Sequence, residues 1–253
     1  MPFPPYPKLS KAPIVEAVIE FKVSTRAPIE VGALLPVKAA LVDRFQVTRD
    51  IHYAHVQLQM GGAEGPQPGL FTGPVGIRLE SGDTGSVVLV RIDGVSISKL
   101  APYDTWEELR DLAREMWSLY AAAVDPLAIT RIGVRYINRI ELQQEAIDFD
   151  RVLTAGPKIP EALPQGLVEF FTRVVVPIPE KGAVVTIAQT FEPRAPTTPG
   201  RSYPAVVLDV DAFIERAFEI DDPGTWAALE SLRDVKNMAF FNSITEETLE
   251  TLK

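Results

Sequence analysis

The chain has 253 residues, 46% of them apolar and 23% charged, with a net charge of −9 and no cysteine. That composition excludes a disordered or fibrous chain, and it excludes disulfides, thiolate nucleophiles and zinc sites built on cysteine. The excess of acid repels nucleic-acid phosphates except at a local arginine patch, and it suits a protein partner that is itself basic.

Residues 1–10 are rich in proline and read as an extended arm. They lack the charged leader and apolar segment of a signal peptide. No apolar run approaches the roughly 18 residues of a membrane span. The expectation is a cytoplasmic protein with no membrane contact. From 15 to 23, Val15, Ala17, Ile19, Phe21 and Val23 alternate with Glu16, Val18, Glu20 and Lys22. That period of two predicts a strand with one buried face, of the kind found in antiparallel sheets. Residues 28–45 place Val37, Leu41 and Phe45 at helical spacing, and 51–60 read as a strand. His52 and His55 lie on that strand. A spacing of three puts them on opposite faces, so they do not share a metal.

Residues 61–73 are crowded with Gly and Pro and read as loop. Strands at 75–80, 86–93 and 95–100, with a turn at 81–85, suggest a meander. The strongest helix signal opens at Asp104-Thr105, where Thr105 and Glu108 match a capping box. Trp106, Leu109, Leu112, Ala113, Met116, Trp117, Tyr120 and Val124 then make one apolar stripe that stops before Pro126. Residues 129–142 form a long strand. Further strands are predicted at 167–178, 183–191 and 205–212, with a Pro/Thr/Gly loop at 193–204. A helix follows from Asp222, with Pro223 at its first position and Trp226, Leu229, Leu232 and Val235 on one face. Ser243 or Thr245 caps a final turn, and Phe240 and Phe241 read as anchors in a core or interface.

The fold class expected is α+β, mainly antiparallel sheet, in two meander-plus-helix halves at 1–142 and 143–253 within one compact unit. Thr-Trp-x-x-Leu occurs at 105–109 and again at 225–229, each time after a run of strands, which raises an internal duplication. Two such sheets either pair edge to edge or fold over each other.

Gly-x-Ser-x-Gly and the phosphate-binding Gly-x-x-x-x-Gly-Lys-Ser/Thr pattern are both absent, and no nucleophile set stands out. The most informative row is on the 129–142 strand. Arg131, Arg135 and Arg139 share one face with Gly133 and Ile137. They span about 27 Å at roughly 3.4 Å per residue. Arginine suits bidentate recognition of phosphate or carboxylate, and Gly133 lets a ligand or another backbone approach closely. The other reading is a charge ladder, in which Glu16, Glu20, Lys22, Arg78, Glu80, Arg91 and Asp93 on neighbouring strands meet these arginines.

Glu16, Glu20 and Lys22 also partly resemble the Glu-x-Glu-x-Lys strand of the triphosphate tunnel enzymes. That resemblance implies a charged β-tunnel, cations on the triphosphate and carboxylates on a divalent metal. Asp209 and Asp211 would join Glu16 and Glu20 as oxygen ligands. The chain departs from the pattern at Val18, where the family has its first acid, and this puts the metal site in doubt.

A second resemblance spans most of the chain. It rests on Ala12-Pro13-Ile14-Val15-Glu16-Ala17, on Trp106 to Tyr120 leading into Arg131-Ile132-Gly133-Val134-Arg135-Tyr136-Ile137-Asn138, and on Ala239-Phe240-Phe241 followed by Ser243-Ile244-Thr245. These segments resemble a sporadically distributed, uncharacterised bacterial family of about this length. The resemblance implies a single full-length unit and brings no activity, cofactor or catalytic residue. The function expected is a non-catalytic macromolecular interaction protein without a cofactor, an antitoxin- or immunity-like factor or an assembly subunit. The alternative is a phosphate- or nucleotide-binding module or metal-dependent phosphohydrolase, with a divalent metal on the charged sheet face. A carrier of a small apolar ligand, held under Trp106 and Trp117, is a third reading. Oligomeric state stays open.

Overall fold

A computed structural model of the chain describes residues 6–59, 67–142, 147–193 and 203–253. In chain order its strands are β1 (Ile14–Ser24), β2 (Val47–Gln59), β3 (Gln67–Ser81), β4 (Ser86–Arg91), β5 (Gly94–Leu100), β6 (Ala128–Glu141), β7 (Phe171–Ile178), β8 (Ala183–Glu192) and β9 (Ala205–Phe218). The α-helices are α1 (Leu35–Leu41), α2 (Trp106–Val124), α3 (Gly224–Ser243) and α4 (Glu246–Leu252). The strands form one nine-stranded sheet in the order β2-β3-β4-β5-β1-β6-β9-β8-β7. Every pairing in it is antiparallel. The α+β class expected from the sequence holds. The two meanders join edge to edge through β1 and β6, and do not stack.

The alternation in β1 sets the layers. Ala17, Ile19 and Phe21 are fully buried beneath the helices, with Ile132 and Val134 of β6 and Leu208, Val210 and Ala212 of β9 beside them. The helix α2 packs over β1 and β5, and α3 over β6, β8 and β9. Both helices meet the sheet with the predicted stripes, Leu109, Ala113, Met116 and Tyr120 from α2 and Leu229, Leu232 and Val235 from α3. Trp106 and Trp117 belong to this core, and Trp117 stacks on Phe21 at 4.8 Å between ring centres.

Helix ends follow the local chemistry. The Thr105 hydroxyl accepts from the Glu108 amide at 3.2 Å, and Asp125 closes α2 in the left-handed region before Pro126. Asp222 accepts from the Gly224 amide at 2.7 Å at the start of α3. Thr245 caps α4 by accepting from the Thr248 amide, while the Ser243 hydroxyl turns back to the Ala239 carbonyl. Phe240 is buried; Phe241 stacks on Tyr6 of the N-terminal arm at 4.6 Å. The arm runs along α4, with the Lys11 amide donating to the Leu252 carbonyl at 3.0 Å.

One expectation needs correction. Within 61–73, residues 67–73 are strand, not loop, and pair with β2 from Gln59↔Gln67 to Tyr53↔Gly73. Pairing of β3 with β4 begins only at Gly76↔Arg91. Among the described residues this end of β3 pairs on one side only, with β2, so Pro68, which lacks an N–H, meets fewer ladder demands than in a central strand.

The β4–β5 hairpin turns at Ile92-Asp93 and leads into Gly94, whose φ is 155°. A Cβ there would lie 2.1 Å from the Phe21 carbonyl oxygen of β1. Gly94→Ala is expected to destabilise the fold by about 3 kcal/mol, from backbone strain and overpacking together. A urea titration checks this, and the denaturant slope should stay unchanged. Among the described residues, no helix is long and apolar enough to cross a membrane.

Candidate functional site

The sheet face away from the helices carries the arginine row. Arg131 donates to Glu20 of β1 and, at 2.7 Å, to Asp211 of β9, with Glu215 at 3.9 Å. Arg135 makes a two-pronged bond to Asp209, at 2.8 and 2.5 Å. Arg139 donates to Glu192 at 3.0 Å, to Glu141 at 2.6 Å and to the Tyr203 carbonyl at 2.9 Å. The same face holds the pairs Arg78–Glu80 and Arg91–Asp93. Antiparallel register produces this matching: Lys22↔Arg131 and Val18↔Arg135 set the arginines diagonally across from the acids of β1, and Arg135↔Asp211 and Ile137↔Asp209 do the same on β9. Each arginine already has carboxylate partners. The arrangement is that of a ladder.

Arg131 and Arg139 are the enclosed members of the row, their side chains 14% and 11% exposed against 48% for Arg135. Gly133 explains how Arg131 lies flat. A Cβ at that position would come within 2.7 Å of the Arg131 guanidinium. The group that takes advantage of Gly133 is thus this arginine, which also covers the Phe213 ring at 4.5 Å. Burial, opposed by Arg131 and aided by Glu20, holds the Asp211 carboxyl above the usual aspartate range.

The suggested metal ligands are distributed along this ladder. Glu20 and Asp211 sit on either side of Arg131, and Asp209 is taken by Arg135. Glu16 lies on the same face and acts on Arg135 through space. Among the described residues, no group of three or more His, Asp or Glu is arranged to hold a metal ion. A guanidinium occupies the place between carboxylates where a cation would sit. His52 is exposed on β2, and the side chain of His55 lies outside the described residues.

A second cluster lies on the helix side and escaped the sequence reading. Lys236 of α3 is only 8% exposed. Its ammonium sits 3.6 Å from the centre of the Tyr136 ring and donates to the Asn237 side chain at 2.6 Å. The Tyr136 hydroxyl is bonded to that of Tyr103 at 2.7 Å, and the two rings meet edge to face. No carboxylate reaches Lys236 among the described residues. Burial, and then the positive charge of Arg233, push its ammonium down to about 7. Burial likewise raises Tyr103 to about 12 and Tyr136 well above the ordinary phenol. The signal was present in the sequence: 229, 232, 236 and 240 follow helical spacing, so Lys236 falls on the buried stripe of α3.

A third feature is the edge strand β7. The helices do not extend over it, and Phe171, Val174, Val175 and Val176 are exposed, Phe171 at 65%. The Phe191 amide donates to the Phe170 carbonyl at 3.2 Å. Pairing toward β8 therefore uses 170, 172, 174 and 176, and the backbone groups of 171, 173, 175 and 177 point away from the sheet. Pro177, which lacks an N–H, falls on the outward set, where none is needed.

No protein-family model matches the sequence, and no curated protein matches it.

Proposed function

We propose that the chain is a protein-interaction module that takes up an extended segment of another polypeptide as a tenth strand beside β7. The observation that carries this reading is the β7 edge, unpaired among the described residues and with exposed apolar side chains on both faces. Its outward N–H groups at Phe171, Arg173 and Val175 offer an alternating ladder to a partner strand, and the flanking valines offer side-chain contacts on either face. Pro177 limits the addition to the segment before it. A free edge of this kind is a hazard unless blunted or occupied. Here only Arg173 and Pro177 blunt it. The paired arginine row supports a structural role for the charged face, which leaves recognition to the edge. An antitoxin, immunity-like or assembly role suits such a module, as does the acidic surface when the partner is basic.

The test is capture of a partner from the native host by tagged wild-type protein, compared with Val175→Pro. That substitution deletes an outward donor without touching the β8 ladder. Partner recovery is expected to fall at least tenfold while Tm is unchanged, and Leu127→Lys, at another exposed apolar position, should bind normally. Equal recovery by Val175→Pro would sink the proposal. A wild-type dimer that Val175→Pro dissolves would replace the foreign strand with a second copy.

We also propose that the chain is a duplicated unit and a member of the sporadically distributed family it resembles. Supporting the duplication, β1 followed by a meander and α2 corresponds to β6 followed by a meander and α3. In each case the last meander strand returns beside the first strand, β5 on β1 and β9 on β6. On this proposal the junction falls at Asp125-Pro126 and β6 goes with the second half, in place of the division after 142 expected from the sequence.

A further inference from the structure

We propose that Lys236 is a carbon dioxide site, its amine adding CO2 to form a carbamate that Arg233 and the Tyr103–Tyr136 pair hold. Three observations on the cluster lead there. First, the amine is nine-tenths buried and has no acid partner among the described residues; its contacts are the Tyr136 ring and the Asn237 carbonyl oxygen. Such a group is poorly served as an ammonium. Second, the charge that acts on it is of the same sign. Arg233 stands one helical turn away on α3, over the Trp106 ring at 5.5 Å and 3.9 Å from Glu230. It acts on Lys236 and on both tyrosines. Addition of CO2 turns a repelled cation into an anion beside that guanidinium. Third, the two hydroxyls share one hydrogen bond, so one of their protons remains to be donated to a new acceptor.

The step balances without another reactant. The lone pair of neutral Lys236 Nζ attacks the carbon of CO2, an N–C bond forms, and one C=O π pair becomes the carboxylate charge. A proton leaves nitrogen to solvent. The neutral amine that this requires is provided near physiological pH, because burial and Arg233 lower the Lys236 pKa to about 7. The charged groups around the cluster are Arg233 and Glu230 on α3 and Glu107 and Glu108 at the start of α2, the latter two acting on the tyrosines. The clefts beside α4, between α2 and the start of α3, and on the charged face do not include Lys236. A one-carbon, uncharged electrophile suits so enclosed an amine better than any larger carbonyl or acyl donor.

The test uses the full-length wild-type chain equilibrated with ¹³C-bicarbonate at pH 8, alkylated with triethyloxonium to trap carbamates, and mapped by peptide mass spectrometry. The expected result is an ethoxycarbonyl group on Lys236 at least tenfold above that on the exposed Lys8 and the half-buried Lys38. Arg233→Met should cut the Lys236 signal severalfold, and circular dichroism establishes whether that variant is folded. Absence of label on wild-type Lys236, or label no greater than on Lys38, overturns the proposal. So does a folded Arg233→Met chain labelled as fully as wild type.

Discussion

Wild-type stability is expected to rise between pH 7 and about 10 and then fall, and Lys236→Met is expected to abolish the rise. Lys236 titrates near 7 in the folded chain and at the ordinary 10.5 when unfolded. Between those values the unfolded chain binds more protons, so stability increases with pH. The contribution is complete above 10.5 and is lost as pH falls through 7. A pKa unit corresponds to ~1.4 kcal/mol, which gives on the order of 5 kcal/mol over the whole window. The Tyr136 ring favours the ammonium by about 1–2 kcal/mol, which lowers the expected amplitude to between about 3 and 5 kcal/mol.

Tyr103 supplies the opposite limb. Its folded pKa is raised from 10.0 to about 12, so its contribution is present below pH 10 and lost as pH climbs toward 12. Tyr120 and Tyr136 shift in the same direction. Urea titrations at intervals from pH 6.5 to 11 check both limbs, performed in CO2-free buffer so that carbamate formation does not contribute. In Lys236→Met only the falling limb should survive. A wild-type profile flat between 7 and 10 would show that the buried amine keeps its ordinary pKa.

Arg131→Met is expected to cost about 3–5 kcal/mol at pH 7, the range for removing one partner of a buried ion pair. Arg135→Met should cost about 1 kcal/mol or less, as exposed pairs do. The contrast follows from enclosure and from what is left behind. Without Arg131, Glu20 and Asp211 face each other with no cation between them. Burial already holds the Asp211 carboxyl above the usual aspartate range, and removing the guanidinium raises it further. A raised carboxyl pKa favours the fold at low pH and disfavours it as pH rises through the folded value. The Arg131→Met defect should therefore shrink as pH is lowered from 7 to 5. Equal losses for the two variants, or a defect independent of pH, would show that enclosure of Arg131 carries no energetic weight.

The sequence exposed the elements well because each is amphipathic with a clear period. The alternation of β1, the capped stripe of α2 and the face of α3 are local patterns imposed by burial on one side, and they predicted the strands and helices close to their observed bounds. The exception at 67–73 arose because Gly and Pro were read as breakers. At that end of β3 the described residues supply a neighbour on one side only, β2, so the segment pairs as an edge. The arginine row was legible as a row, since a strand fixes which residues share a face.

Its chemistry was not legible. Whether Arg131, Arg135 and Arg139 meet a ligand or Glu20, Asp209, Asp211 and Glu192 depends on which strands lie beside β6, and those strands come from positions far away in the chain. Periodicity reports the face of a residue and says nothing of its neighbour across the ladder. The same limit hid Lys236, whose position on the buried stripe was readable but whose environment of Tyr136, Tyr103 and Arg233 is assembled from three separate segments. The edge status of β7 is likewise a property of strand order. The sequence by itself determined an acidic α+β chain of antiparallel meanders and capped helices, because local hydrophobic period and turn chemistry are sufficient for that. Only the tertiary structure decided that the charged face is self-neutralised and, among the described residues, that one lysine is buried without an acid and one apolar edge is left unpaired, because each depends on which distant segments become neighbours.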